Sequence, residues 1–373
     1  MTLSERLLVA VGSRRDRVCS IGSFARAEAK ALEDVFKSVE VMEPNAAGIF
    51  PCCDHIGRPD VIFYHAPALH DRKRPWNALV SLMLLKRAFP KAKVVSIVHE
   101  FSEAPLHWKM RQVVLLRLSD GAIVNSQADF DGVRRWQTKV MRSRLGPTLF
   151  YSELFEQRAD NESRLRALIT KSRAEAAQSH GLPFDQKWLL HPGLLTPGKG
   201  VNFLGKLSPY IDRKTHLVVM GGIGPKDRDR AFAQKALNEL KSSFKGSLTV
   251  IESPNDEIFR QMLVASDLVI LPYDAGLSER RSSFLSAMSC GANVWTTTGT
   301  FTGALNIGNS GVHSVEATAW NANAPAVFES VTQVLGESFE QSLTRRMKNI
   351  EWAKGRSWDA RARDVVKFIS MLK

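Results

Sequence analysis

The sequence predicts an α/β protein of two successive domains, each a parallel sheet wound with helices. Short apolar runs alternate with amphipathic stretches through the first half, the pattern of strands joined by helical crossovers. The pattern lapses between about 146 and 185 and then restarts. A length of 373 residues suits two cores rather than one.

Leu7–Val11 reads as the first buried strand, because this apolar run is short and opens directly into Gly12, unlike a signal peptide. Further strands are expected at Ser38–Met42, Val61–Tyr64, Lys93–Val98 and Gly121–Asn125, with helices at Phe24–Phe36 and Pro75–Ala88. Pro75 suits a helix start and Phe89-Pro90 a stop. Glu153–His180, rich in charge and alanine, reads as a helix leading out of the first domain, which takes in residues 1–180. The second domain, 181–345, restarts with strands at Trp188–His191, His216–Met220, Ser247–Ile251, Leu268–Leu271 and Ala292–Thr296. Its helices are expected at Asp229–Phe244, Asp256–Ala265 and Ser282–Ser289, the last ended by Cys290-Gly291, since glycine tolerates the positive φ of a C-cap. Gln341 to Leu372 reads as two more helices, with 346–373 a C-terminal helical segment.

Composition narrows the function. Hydrophobic residues at 44% and charged residues at 24% are ordinary for a globular chain. No stretch approaches the ~20 apolar residues that span a bilayer. Cys19, Cys52, Cys53 and Cys290 form no CxxC spacing, which fits a reducing, cytoplasmic setting. A net charge of +13 calls for an anionic partner, and the excess is shared, +8 in residues 1–180 and +5 in the rest. Without a basic tail, zinc-finger spacing or RNA-binding aromatic motif, no nucleic acid is expected as partner. Nucleotide phosphates and an acidic membrane face remain.

The most informative stretch runs from Ala265-Ser266-Asp267 through Leu268–Pro272 and Tyr273 to Arg280-Arg281-Ser282-Ser283 and on to Cys290-Gly291-Ala292-Asn293-Val294. A buried strand ends at Pro272, and a polar loop feeds a helix starting near Ser282. Helix N-termini present unpaired N–H groups and the positive end of the macrodipole, so Arg281, Ser282 and Ser283 stand where a phosphate would bind. The plainer alternative is an N-capped helix with solvated arginines.

This stretch resembles the signature of the group 1 (family 4-like) GT-B glycosyltransferases, an aspartate–strand–proline run followed by an E-A-M-A-C-G-x-P-V turn. Three further segments match in order. Pro192–Val201, with Gly193, Lys199 and Gly200, resembles the family's G-R-L-x-x-x-K-G. Val218–Pro225, with Gly221 and Gly222, resembles its strand-to-glycine turn. Val94–Glu100 resembles its N-domain strand ending in histidine. Gly121–Ser126 and Arg356-Ser357-Trp358 also fall where the family has counterparts.

The resemblance implies two Rossmann-like domains facing across a cleft, with C-terminal helices crossing back to the first domain. It implies a metal-independent, hexosyltransferase-type enzyme that moves a sugar from a nucleotide-sugar donor to a glycan or lipid-linked acceptor, in bacterial surface or exported polysaccharide biosynthesis, with no cofactor. Lys199 and Arg281 would neutralise the donor diphosphate, Gly193, Gly221 and Gly222 would let backbone approach the nucleotide, and Glu252 lies where base and ribose are met. Tyr273, Ser282 and Ser283 would line phosphate and sugar. His99 would project from a strand end towards donor and acceptor, and His99, Glu100 and Glu103 are candidate general bases for an inverting reaction. The departures are specific. The family's paired acidic positions fall on Ser278 and Ser286, with Glu279 one residue off as a stand-in, and its arginine falls on Leu194. These departures keep a non-catalytic nucleotide-sugar-binding relative in play beside a sugar-nucleotide epimerase of the same fold.

Arg72-Lys73-Arg74-Pro75-Trp76 leads into the apolar Ala78–Leu85 and then Lys86-Arg87, and Trp108–Leu118 is a second stretch of this kind. Cations around an apolar helix with an interfacial tryptophan suit an anionic membrane, expected to be the inner face of the plasma membrane. A helix packed on a sheet reads the same way.

Overall fold

A computed structural model of the chain describes residues 3–11, 20–44, 50, 57–65, 76–99, 101–102, 104–143, 161–223, 227–279, 281–319 and 324–372. It divides into two compact units, 1–146 with 357–373, and 147–356. In chain order the first unit has β1 (Leu3–Val11), α1 (Ser20–Leu32), β2 (Phe36–Met42), β3 (Val61–His65), α2 (Asn77–Ala88), β4 (Lys93–Val98), α3 (Leu106–Leu118), β5 (Gly121–Val124), α4 (Gln127–Val133) and β6 (Val140–Arg142). The second has α5 (Asn161–His180), β7 (Lys187–Pro192), α6 (Val201–Leu207), β8 (Thr215–Gly221), α7 (Asp227–Ser243), β9 (Ser247–Glu252), α8 (Asp256–Ala265), β10 (Leu268–Leu271), α9 (Ser282–Ser289), β11 (Val294–Thr298), β12 (His313–Glu316), α10 (Ala324–Leu335) and α11 (Phe339–Lys354). The last helix, α12 (Trp358–Leu372), belongs to the first unit.

Each unit holds a six-stranded parallel sheet among the described residues, ordered β2-β1-β3-β4-β5-β6 and β12-β11-β10-β7-β8-β9. Alternation along β1 sorts its side chains. Leu7, Val9 and Val11 pack under α1 and α12 with Ala25, Ala29, Val365 and Phe368. Leu8 and Ala10 face the other way, onto Leu82, Leu85 and Leu115 of α2 and α3. In the second unit Leu189, Leu217, Val219, Ile270 and Trp295 meet α6, α7 and α10 through Phe203, Leu237 and Phe328.

The structure moves some expected boundaries. The helix expected over Phe24–Phe36 ends at Leu32, and Phe36 instead opens β2, paired with Leu3. α5, expected to lead out of the first half, packs along α8 inside the second unit. The edge strands β6 and β12 had no clear signature, being short and only half-buried.

Strand order also locates the crevices. In the second sheet the chain runs β7-β8-β9 to one side and β10-β11-β12 to the other, so the switch point lies between β7 and β10. In the first it lies between β1 and β3. Ligands of open parallel sheets bind beyond the carboxyl ends of the strands at such points.

Candidate functional site

The second switch point is opened by the strands themselves. β7 and β10 pair at Leu189 with Leu268 and at Leu190 with Val269, and the register goes no further. Beyond it His191 turns its Nδ1–H to the Ile270 carbonyl, 3.1 Å away. That bond leaves Nε2 as the lone-pair nitrogen, and this atom is buried without a hydrogen-bond partner. Burial, with the Lys199 charge adding to it, lowers the His191 pKa to about 4, so the ring is neutral.

Three loops converge here. After β7, Gly193 has φ +126°, a conformation that favours glycine, and donates its N–H to Met220 O at 2.8 Å. Gly221 ends β8 against it: a Cβ on Gly221 would lie 1.7 Å from the Gly193 carbonyl oxygen. Glycine at 221 is thus required by backbone packing against the first loop. Gly222 accepts from Leu195 N at 3.0 Å, and Ser253 N reaches Gly221 O at 3.2 Å. Glu252 stands exposed at the end of β9, in register with Gly221.

The third loop follows β10. Tyr273 is buried, its carbonyl accepting from Thr297 of β11 at 2.6 Å and its hydroxyl 3.0 Å from Ser283 Oγ. Burial pushes its phenol up to about 12, so it stays protonated. Two cations lie against its ring, Lys199 Nζ at 5.5 Å and Arg281 Cζ at 4.7 Å from the centroid. Arg281 occupies the N-cap position of α9, and its Nε is buried without a hydrogen-bond partner. Burial and the neighbouring Arg281 lower Lys199 to about 8. Burial also raises the Asp274 carboxyl above its usual value, against the pull of Arg281.

The structure therefore brings Gly193, Lys199, Gly221, Gly222, Tyr273, Arg281, Ser282 and Ser283 to one crevice, with Glu252 on its β9 side. Its chemistry is that of an anion site: two cations and the N-terminus of an eight-residue helix, with a buried N–H donor lacking an acceptor. Glu279 lies just before Arg281 and is buried, as are Ser278 and Ser286, while Leu194 is exposed. His191 escaped sequence reading because a lone histidine in an apolar strand carries no pattern.

His99 belongs to the first unit. It follows β4, its Nε2 3.2 Å from Nδ1 of the buried His65 and its Nδ1 3.4 Å from Asn125 Nδ2. Phe24 packs edge-on to its ring. Glu100, Glu103 and Arg280 lie outside the described residues.

No protein-family model matches the chain, and no curated protein does. Solved structures do. Sucrose-phosphate synthase from Thermosynechococcus elongatus superposes with a TM-score of 0.70 at 15% identity, over 99% of each chain. HepE of Anabaena, in complex with UDP and glucose, gives 0.66 at 14%, over 98% of this chain and 100% of that one. WaaG, a glycosyltransferase involved in lipopolysaccharide biosynthesis, gives 0.58 at 14%, over 98% and 99%. The structures this chain resembles are GT-B glycosyltransferases, and the chain itself has the GT-B fold of two Rossmann-like units.

Proposed function

We propose that this protein is a glycosyltransferase that binds a nucleotide-sugar in the β7/β10 crevice and transfers the sugar to a glycan or lipid-linked acceptor. The observation that carries the reading is the pairing of Lys199 and Arg281 on the Tyr273 ring at the start of α9. Two like charges held together and partly desolvated cost free energy unless an anion offsets them. A diphosphate leaving group supplies that anion. As the bond from sugar to phosphate breaks, charge grows on the bridging oxygen, and fixed cations with the first amides of α9 stabilise it without reorganising. Glu252 is suited to the ribose hydroxyls, and Ser283, held by Tyr273, to a phosphate oxygen or sugar hydroxyl.

HepE is seen with UDP-glucose, so uridine diphosphate sugars are the first donors to try. Thermal melts with uridine, guanosine and adenosine diphosphate sugars test the site: a ligand at 100 times its Kd adds about 2.7 kcal/mol. If none shifts the melt of the native chain, the donor reading fails.

The acceptor side rests on a second surface. Among the described residues no helix is long and apolar enough to cross a membrane. α2 nevertheless exposes Val80, Met83 and Leu84, with Trp76 just before it, and α3 exposes Leu106, Met110 and Val114, each set on one helical face. Arg111 lies over Trp76, 5.7 Å from the ring centroid, and Arg87, Lys109 and Arg117 flank the patch. Arg72–Pro75 lie outside the described residues. An apolar patch rimmed by cations fits an anionic bilayer, where a lipid-linked acceptor would be found and where a role in surface polysaccharide synthesis would be carried out. Flotation with anionic liposomes at low salt tests it, and protein left at the bottom of the gradient would remove the membrane from the proposal.

A second reading has one observation in its favour. The positions where the family pattern resembled by the sequence has paired acids are the buried Ser278 and Ser286. A protein that binds the nucleotide-sugar without transferring it would stabilise with donor yet release no nucleoside diphosphate with any acceptor.

A further inference from the structure

Five side chains of the first unit close a ring of four hydrogen bonds and one ion-pair contact. Arg361 of α12 donates from Nη1 to Asn125 Oδ1 at 3.1 Å. Asn125 Nδ2 is 3.4 Å from His99 Nδ1, and His99 Nε2 is 3.2 Å from His65 Nδ1. His65 Nε2 is 3.0 Å from Glu28 Oε2, a close but bent contact, and Arg361 Nε returns to Glu28 Oε1 at 2.5 Å. All but His99 are buried.

The direction of every bond follows from one residue. Arginine only donates. Asn125 must therefore turn its oxygen to Arg361 and its amide hydrogens to His99, so His99 Nδ1 accepts. His99 then carries its proton on Nε2 and donates to His65 Nδ1. His65 in turn carries its proton on Nε2, 3.0 Å from the Glu28 carboxylate, which takes the Arg361 Nε–H on its other oxygen. We infer that Glu28, His65, Asn125 and Arg361 are positioning residues that hold His99 as a neutral Nε2–H imidazole, with Nδ1 as its hydrogen-bond acceptor. The longest link, the 3.4 Å bond to Asn125, is the one a ligand hydroxyl would replace. Burial would raise the Glu28 carboxyl, but Arg361 and His65 overcome it and hold the pKa at about 2, so the anchor stays charged. That a sugar hydroxyl meets Nδ1 rests on the proposed function; the tautomer does not.

The ring predicts an uncommon behaviour, reversal from a distance. In Glu28→Gln, Arg361 takes the amide oxygen, and the amide NH2 faces His65. His65 must then accept on Nε2 and move its proton to Nδ1. His99 follows, accepting on Nε2 and protonating Nδ1, which breaks the bond to Asn125. In Asn125→Asp, two carboxylates flank the histidine pair and one arginine, and charge balance draws one extra proton onto the pair.

Nitrogen-15 NMR of the full chain reads this directly, since protonated and bare imidazole nitrogens have well-separated shifts. His99 and His65 among the nine histidines are assigned by His→Gln substitutions at each. The native protein is expected to show both as Nε2–H, Glu28→Gln both as Nδ1–H, and Asn125→Asp an imidazolium at neutral pH. Glu28→Gln is also expected to lower turnover by on the order of tenfold, the worth of one hydrogen bond, while donor-induced thermal stabilisation is kept. A native His99 carrying its proton on Nδ1, or a His99 whose state is the same in the native chain and both variants, overturns the ring. If the tautomers behave as expected and the native chain transfers no sugar, the ring stands and the function proposed for the site falls.

Discussion

The two switch points of this molecule handle charge in opposite ways. Around His99, opposite charges meet: Glu28 is paired with Arg361, which also donates to Asn125, and His65 Nε2 lies 3.0 Å from the same carboxylate. Around Lys199, like meets like: two cations share one tyrosine ring. Opposite charges that meet inside the fold are a structural device, whereas like charges gathered in a crevice mark an anion that must arrive from outside.

The largest expected effect tests the closed side. Arg361→Met leaves the Glu28 carboxylate buried without its main counter-charge, and should cost about 3–5 kcal/mol of stability at neutral pH. The pH dependence should change sign as well. In the native protein Glu28 sits near 2 against an ordinary 4.5, so its contribution is present above 4.5 and is lost as pH falls towards 2. In the variant, burial without Arg361 raises the pKa, so folding takes up a proton and acidification from neutral pH narrows the deficit. Melts of both proteins at neutral and mildly acid pH check it, and a deficit that does not shrink in acid contradicts the assigned pairing.

Arg281→Met should do the reverse. It removes a like charge from beside Lys199 and leaves no buried partner stranded, so stability should change by less than about 1 kcal/mol. Transfer from the donor should nevertheless fall on the order of 100- to 1,000-fold, as for loss of one transition-state donor, and Lys199→Ala should match it. A variant that melts normally and turns over normally would place the diphosphate elsewhere.

Much of this was legible beforehand. The strand-loop-helix run from Leu268 to Ser289 is written in apolar runs and a terminal Cys-Gly, so Tyr273, Arg281 and Ser283 could be placed at a helix start from the sequence alone. Gly221 was legible as a glycine but not for its reason: the Gly193 carbonyl against which it packs lies on the neighbouring strand's loop. The ring was not legible at all. Glu28 and Arg361 are 333 positions apart, and each looks like an ordinary charge on an amphipathic helix until α12 is laid beside α1. His191 and His65, single histidines in buried strands, gain meaning only from the atoms that their neighbours leave or fill.

A smaller effect sharpens the open side. Lys199 is lowered to about 8 by burial and Arg281, and a bound diphosphate would raise it again. Donor affinity should therefore be level below pH 8, where the ammonium is already charged, and fall about tenfold per unit above it. The phosphates are fully ionised in that range and contribute no slope of their own. Calorimetric titrations on either side of pH 8 measure the break, and Arg281→Gln should shift it upward by removing the repulsion. A flat profile would mean that Lys199 does not touch the anion.

The smallest effect concerns Leu194, which stands where the motif that the sequence resembles has an arginine. Leu194 is exposed, next to Gly222, at the lip of the same crevice. Leu194→Arg should leave stability within about 0.5 kcal/mol, as surface changes do. A guanidinium there could share a phosphate oxygen in fork geometry, and donor affinity should rise about three- to tenfold at neutral pH. The gain carries its own signature: a third cation pushes Lys199 further down, so the decline in affinity should begin below pH 8. Tighter binding with an earlier break is what a crowded cationic pocket must show. Unchanged affinity and an unchanged break would mean that the loop after β7 faces no diphosphate, and the contrast between the two switch points would then lose its functional meaning.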